Sequence, residues 1–162
     1  LTFLLVLNFG AIFGAIFGGQ LADRFGPKLI LITFFFTASL SLTLLGLINN
    51  LLFMYVLVAI AGATTIGTQI IMNSYISMYY PVEMRSSGLG WALGIGRLGA
   101  MAGPIIGGIL MGVSLPYYQN FIVFAIPGVI ALIMIMMVQE KYSSTVQEKP
   151  LINPTLQKEK VY

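Results

Sequence analysis

The chain has 162 residues, of which 58% are hydrophobic and only 8% charged, against about 25% charged in soluble domains. That composition excludes an aqueous globule. The net charge of +3 is no sign of nucleic-acid binding, because four of the eight basic residues (Lys141, Lys149, Lys158 and Lys160) lie in the C-terminal stretch, where a solvated tail is the default reading. With neither cysteine nor histidine, disulfides, thiol catalysis and the usual zinc constellations drop out together.

Five apolar runs are predicted as transmembrane helices, over about 1–21, 27–48, 51–79, 86–112 and 121–138. The charge-free interval between Lys28 and Glu83 is long enough for two spans and a turn. Because the first run opens at Leu1 without a basic leader, it reads as a helix cut into from its N-terminal side. The chain is expected to be a fragment.

In the first run Gly10, Gly14 and Gly18 form one ridge, and Ala11, Ala15 and Gly19 another beside it, both at a spacing of four. Such a face lets another helix approach closely. Asn8 is its one strongly polar side chain. Asp23, Arg24, Gly26, Pro27 and Lys28 then make a tight turn, with Gly26 suited to positive φ and Asp23 to capping a helix end. Pro27 suits the first turn of the second helix.

The second run ends at Asn49-Asn50, a turn signal. Along the third, Thr65, Gln69 and Asn73 share one stripe, so one face is polar. Tyr80 to Arg85 form the next charged turn. The fourth run, SSGLGWALGIGRLGAMAGPIIGGILMG, is crowded with glycine and holds a single charge, Arg97. Gly99, Gly103 and Gly107 form a close-packing ridge, with Gly108 beside it and Pro104 as a place to bend. An aromatic turn leads to the fifth run, where Pro127-Gly128 predicts a kink. Residues 139–162 read as a disordered tail.

Arg24 and Lys28 fall in turn one, Arg85 in turn three and four lysines in the tail, while turns two and four have no basic residue. By the positive-inside rule turns one and three and the tail are cytoplasmic. The expected location is the inner (cytoplasmic) membrane, multi-pass, with a cytoplasmic C-terminus.

Arg97 then sits roughly 16 Å deep at 1.5 Å per residue, near the middle of a ~30 Å hydrocarbon core. An arginine there is costly unless paired or wet. Since no acid of this chain is expected at that depth, its counter-charge is either a carboxylate on a helix outside the chain or an anionic ligand, for which guanidinium offers a bidentate fork. Asn8, Thr65 and Gln69 are placed at comparable depth. They are candidates for neutral hydrogen bonds to a ligand, with interhelical bonding as the alternative.

Gly19, Asp23, Arg24, Gly26 and Lys28 stand in the pattern G-x-x-x-D-R-x-G-x-K, and Gly99, Gly103, Pro104, Gly107 and Gly108 in G-x-x-x-G-P-x-x-G-G. Together they resemble two signatures of the major facilitator superfamily: the cytoplasmic gate loop between the second and third helices of each half, and an element of the fifth or eleventh helix. Pro27 departs from the first pattern, where a basic residue is usual. The segment from Arg85 to Gly99 resembles the start of the eleventh helix in the aromatic acid/proton symporter group.

The resemblance implies an all-α membrane protein, five transmembrane helices (eight to twelve) of a twelve-helix fold. It implies a non-enzymatic secondary transporter of a benzoate- or hydroxybenzoate-type anion, with no cofactor beyond the proton as coupling ion. Its partners would be that small organic anion, the lipid bilayer and the N-terminal half of the same chain, without nucleic acid. A sugar or drug carrier of the same superfamily is the alternative within transport, and a non-transporting membrane scaffold subunit the alternative outside it.

Overall fold

The computed structural model describes residues 1–48, 50–113 and 116–138. The expected tail, 139–162, lies outside the described residues. The structure is all-α: α1 Thr2–Phe25, α2 Pro27–Leu47, α3 Leu51–Tyr79, α4 Arg85–Gly112 and α5 Tyr117–Met137. All five are long and apolar enough to cross a membrane. With no water in the hydrocarbon core, each backbone donor has to pair inside its own segment. That requirement carries α4 through its glycines and Pro104 without a break.

Local chemistry fixes the turns. Gly26 takes φ 92°, a left-handed conformation that costs glycine little, and Pro27 opens α2 in the next position. The Asn50 side chain accepts a hydrogen bond from Leu52 N at 3.0 Å, capping α3. Asp23, expected as a cap, caps neither neighbour. It stands exposed within the last turn of α1, which continues to Phe25, and α2 has no side-chain cap.

Packing follows residue size. The glycine face of α1 lies on α3 so closely that a Cβ built at Gly10 would overlap the backbone of Ala59, and one at Gly14 the backbone of Ala63. From the other side a Cβ at Gly62 would overlap Leu7. Ala59, Ala63 and Gly67 repeat at a spacing of four, so α3 answers the ridge of α1 with one of its own. The sequence reading found the first ridge and missed the second. α2 packs between α3 and α5, and Ala22, Ile30, Leu31, Ile71, Tyr75 and Ile135 form the core near the charged turns. The rings of Phe9, Phe13 and Phe17 line the outside of α1, the first pair edge to face with centroids 5.0 Å apart and the second stacked at 6.1 Å. Exposed aromatics are tolerable there because the surrounding solvent is lipid.

α4 differs from the rest. No residue in it is buried, and a Cβ at Gly90, Gly94, Gly96, Gly99, Gly103 or Gly108 would meet nothing within 4 Å. A Cβ at Gly107 would meet the Phe124 ring of α5 at 3.5 Å, and one at Gly88, in the first turn, would press on the Tyr80 ring at 2.8 Å. Among the described residues, Gly99 and Gly103 of the expected close-packing ridge therefore meet no partner helix, and Gly107 meets only the Phe124 ring of α5.

Lys28, at the start of α2, donates from Nζ to the Val138 carbonyl at the end of α5. A cation at a helix C-terminus meets the negative end of its dipole, so this contact ties the two helices at the charged end. Lys28→Met is expected to cost about 1 kcal/mol and to lower the unfolding midpoint of the purified protein. An unchanged midpoint would remove the tie.

Candidate functional site

The polar stripe of α3 lies two residues from the Ala59–Ala63–Gly67 ridge, which at 100° per residue is nearly the opposite side of the helix. Packing α1 onto the small face thus turns the polar face the other way, toward α4. Between them is a cleft of about 410 Å³, lined by Thr65, Thr68, Gln69, Met72, Asn73 and Ile76 of α3. Ala92, Leu93, Gly96, Arg97 and Ala100 of α4 form the facing wall, and Phe35 of α2 contributes a ring. The α3 positions follow i, i+3, i+4, i+7, the pattern of one helix face.

Three of the four side chains expected at a binding site are brought together here: Thr65, Gln69 and Arg97. The fourth, Asn8, does not line the cleft. It is exposed on α1 and its Nδ2 donates to the Leu4 carbonyl at 2.7 Å. The reason is the side on which α1 packs: it lies on the Ala59–Ala63–Gly67 face of α3, nearly opposite the polar stripe, and Asn8 is besides roughly 26 Å along the axis from the end of α1 at Phe25. That is well beyond the level of Arg97, roughly 18 Å from the start of α4.

The two threonines of the cleft differ. Thr65 Oγ1 donates to the Ala61 carbonyl at 2.7 Å, the back-bonding common for hydroxyls inside helices. Thr68 is only 9% exposed and its Oγ1 has no hydrogen-bond partner among the described residues. Sequence reasoning overlooked Thr68 as a site residue, and also Phe35. The offset of three from Thr65 was the available signal for Thr68. Phe35, on another helix, had none.

The only carboxylates among the described residues are Asp23 and Glu83, both at the charged turns and neither a lining residue. The cleft therefore sets one guanidinium on its α4 wall against two amides on its α3 wall, with apolar surface from Phe35, Met72, Ile76 and Leu93. An anion with an apolar body matches that arrangement. A second cleft of about 390 Å³, between α3 and α5, shares Met72 and Ile76 but is lined otherwise by Tyr75, Tyr79, Tyr80, Ala131, Met134, Ile135 and Val138. It holds no charged side chain. Trp91 is 76% exposed and lines a shallow groove with Ser87, Gly90, Gly94, Ile95 and Leu98, on another side of α4 from Arg97.

Comparison with known proteins matches residues 2–160 to the Major Facilitator Superfamily. The chain is 38% identical over 141 residues to the benzoate transport protein of Acinetobacter baylyi, covering 87% of this chain and 30% of that protein. It is 36% identical over 148 residues to the gentisate transporter of Corynebacterium glutamicum, with 90% of this chain and 33% of the relative covered. With the 4-hydroxybenzoate transporter of Pseudomonas aeruginosa it shares 31% identity over 127 residues, 78% of this chain and 28% of the other. The chain thus spans about a third of the length of the curated relatives it matches.

Proposed function

The chain belongs to the Major Facilitator Superfamily, and on that footing we propose that its five helices serve as helices eight to twelve of a twelve-helix, proton-coupled carrier of aromatic acids. The observation that carries this reading is the cleft in which Arg97 faces the polar wall of α3 with no carboxylate beside it among the described residues. The names of the relatives, benzoate, gentisate and 4-hydroxybenzoate transporters, supply the class of cargo.

Each part of such a ligand has a counterpart. The guanidinium pairs with the carboxylate in bidentate geometry, and Phe35, Met72, Ile76 and Leu93 cover the ring. Midway through a bilayer this attraction is little screened. Alternating access arises from rocking of the two halves about a midplane site. Gly99 and Gly103 of α4, open among the described residues, lie on the surface on which a helix from the rest of the carrier would slide.

The charged turns, with Arg24, Lys28 and Arg85, lie on the cytoplasmic side, as does the C-terminus, by the positive-inside rule. The Gly19 to Lys28 segment, where α1 meets α2 with Asp23 exposed, acts as the cytoplasmic gate. Proton coupling needs a carboxylate with a shifted pKa inside the membrane. Such a group would sit on a helix outside this chain.

Uptake of labelled benzoate and hydroxybenzoates by the full-length carrier in vesicles tests the reading. Accumulation is expected under an inward proton gradient and is expected to collapse with an uncoupler. Movement of a neutral sugar or drug in place of any aromatic acid, or of nothing at all, would overturn it.

A further inference from the structure

Four polar side chains stand on the α3 wall of the cleft: Thr65, Thr68, Gln69 and Asn73. Two of them offer a ligand no donor. Thr65 Oγ1 is already bonded to the Ala61 carbonyl, and Thr68 Oγ1 is sealed inside the packing. The side-chain amides of Gln69 and Asn73 make no hydrogen bond among the described residues. Gln69 is exposed, and Asn73, though half-buried, keeps its amide atoms open to the surface.

The two amides lie at different levels. Measured from the charged turns, where α3 ends at Tyr79, α4 begins at Arg85 and α2 begins at Pro27, Arg97 is roughly 18 Å in and Gln69 roughly 15 Å in at 1.5 Å per residue. Asn73 is only roughly 9 Å in. Of the lining residues, Thr65 and Ala100 alone lie beyond Arg97, so the guanidinium stands near one end of the cleft and the space extends from it toward the charged turns. Phe35, Met72 and Leu93, from three different helices, come in between, at roughly 10–12 Å. Along the axis the cleft thus presents a cation, then an apolar collar, then an amide. The separation of Arg97 from Asn73, roughly 9 Å along the axis, leaves room for one aromatic ring between two hydrogen-bonding ends.

We infer that Asn73 is a specificity-determining residue that reads the ring position opposite the carboxylate, and that the cleft favours an acid carrying a hydroxyl there. The inference rests on the carrier reading above and adds the orientation of the cargo and the residue that inspects its far end. With the carboxylate on Arg97 and the ring in the collar of Phe35, Met72 and Leu93, the 4-position is the one that reaches the level of Asn73. An amide can donate to a hydroxyl or accept from it, whereas a bare ring edge leaves the amide without a partner. A hydroxyl at the 2-position stays beside the carboxylate, near Arg97 and Gln69, and gains nothing from Asn73.

The test is initial-rate uptake of labelled benzoate, 2-hydroxybenzoate and 4-hydroxybenzoate by the full-length carrier, for the wild type, Asn73→Leu and Asn73→Asp. In the wild type KM for 4-hydroxybenzoate is expected about fivefold below that for benzoate, the worth of one neutral hydrogen bond, with no such advantage for 2-hydroxybenzoate. Asn73→Leu keeps much of the bulk and removes the amide, and is expected to erase that ratio. Asn73→Asp still accepts from a phenol and is expected to keep it. An equal change for all three acids in Asn73→Leu, or none in any, would overturn the inference, since a purely structural amide gives those results. Should Asn73→Leu fail to reach the membrane, the wild-type order decides: an advantage for the 2-position, or none for the 4-position, overturns the inference and leaves the carrier reading standing. A wild type that moves no aromatic acid overturns both.

Discussion

Replacing Arg97 by Gln in the full-length carrier is expected to lower uptake of its aromatic acid by at least ~30-fold, the effect of removing about 2 kcal/mol of paired charge from a desolvated site. Glutamine preserves much of the side chain's bulk and some hydrogen bonding, so the loss isolates the charge. Arg97→Lys should fall between the two, because an ammonium keeps the charge and loses the planar fork that grips a carboxylate through two parallel bonds. The measurement is initial-rate uptake at several concentrations, with the amount of carrier in the membrane determined alongside. A site role raises KM and leaves the amount of protein steady. If Arg97 instead pairs with a carboxylate on a helix outside this chain, Arg97→Gln strands that acid and folding yield falls, and neutralising the acid as well restores the yield. Uptake by Arg97→Gln at the wild-type rate would take the residue out of the site altogether.

Much of this was legible before any coordinates, and the parts that were not have a common cause. Apolar run length dictates helix number because a bilayer allows a spanning segment few other shapes. The turn at Gly26-Pro27 was readable because φ of 92° and a proline at the first helical position are local requirements of single residues. Thr65, Gln69 and Arg97 could be placed at similar depth by counting 1.5 Å per residue, and the structure sets them around one cleft. The same counting fails for Asn8, because depth does not specify side: α1 packs on the small face of α3, away from the cleft. Which faces meet is a pairwise property that one helix alone does not encode. The ridge of α1 is visible in its four-spaced glycines, whereas its partner, Ala59 and Ala63, shares α3 with the more conspicuous stripe of Thr65, Gln69 and Asn73. Thr68 was missed for a related reason: what distinguishes it from Thr64 and Thr65 is the absence of a bond that both of those make. Only a rotamer in its packed setting reveals that.

The most severe loss of folded protein is expected from Gly14→Leu, with Gly14→Ala already damaging. A Cβ at Gly14 would occupy the place of the Ala63 carbonyl and crowd its Cα, and backbone cannot rotate away as a side-chain end can. Overpacking of a core typically costs 1–3 kcal/mol, and here the one remedy is to separate two helices along their closest line. Separation of α1 from α3 has a second consequence. The small face of α3 fixes which way its polar face points, so tilting α3 off α1 also moves Thr65, Thr68 and Gln69 relative to Arg97. Gly19→Ala is the matched control: it sits on the neighbouring ridge of the same helix, and a Cβ there would meet nothing within 4 Å among the described residues. In a bilayer, where interior glycine has no helix-forming advantage over alanine, that substitution should be neutral or slightly stabilising. Purified full-length carrier should show a lowered unfolding midpoint and reduced yield for Gly14→Ala, near-complete loss for Gly14→Leu, and wild-type behaviour for Gly19→Ala. Equal behaviour of the two alanine variants would mean that α1 and α3 do not approach along Gly14 and Ala63, and the orientation of the polar cleft would then need another cause.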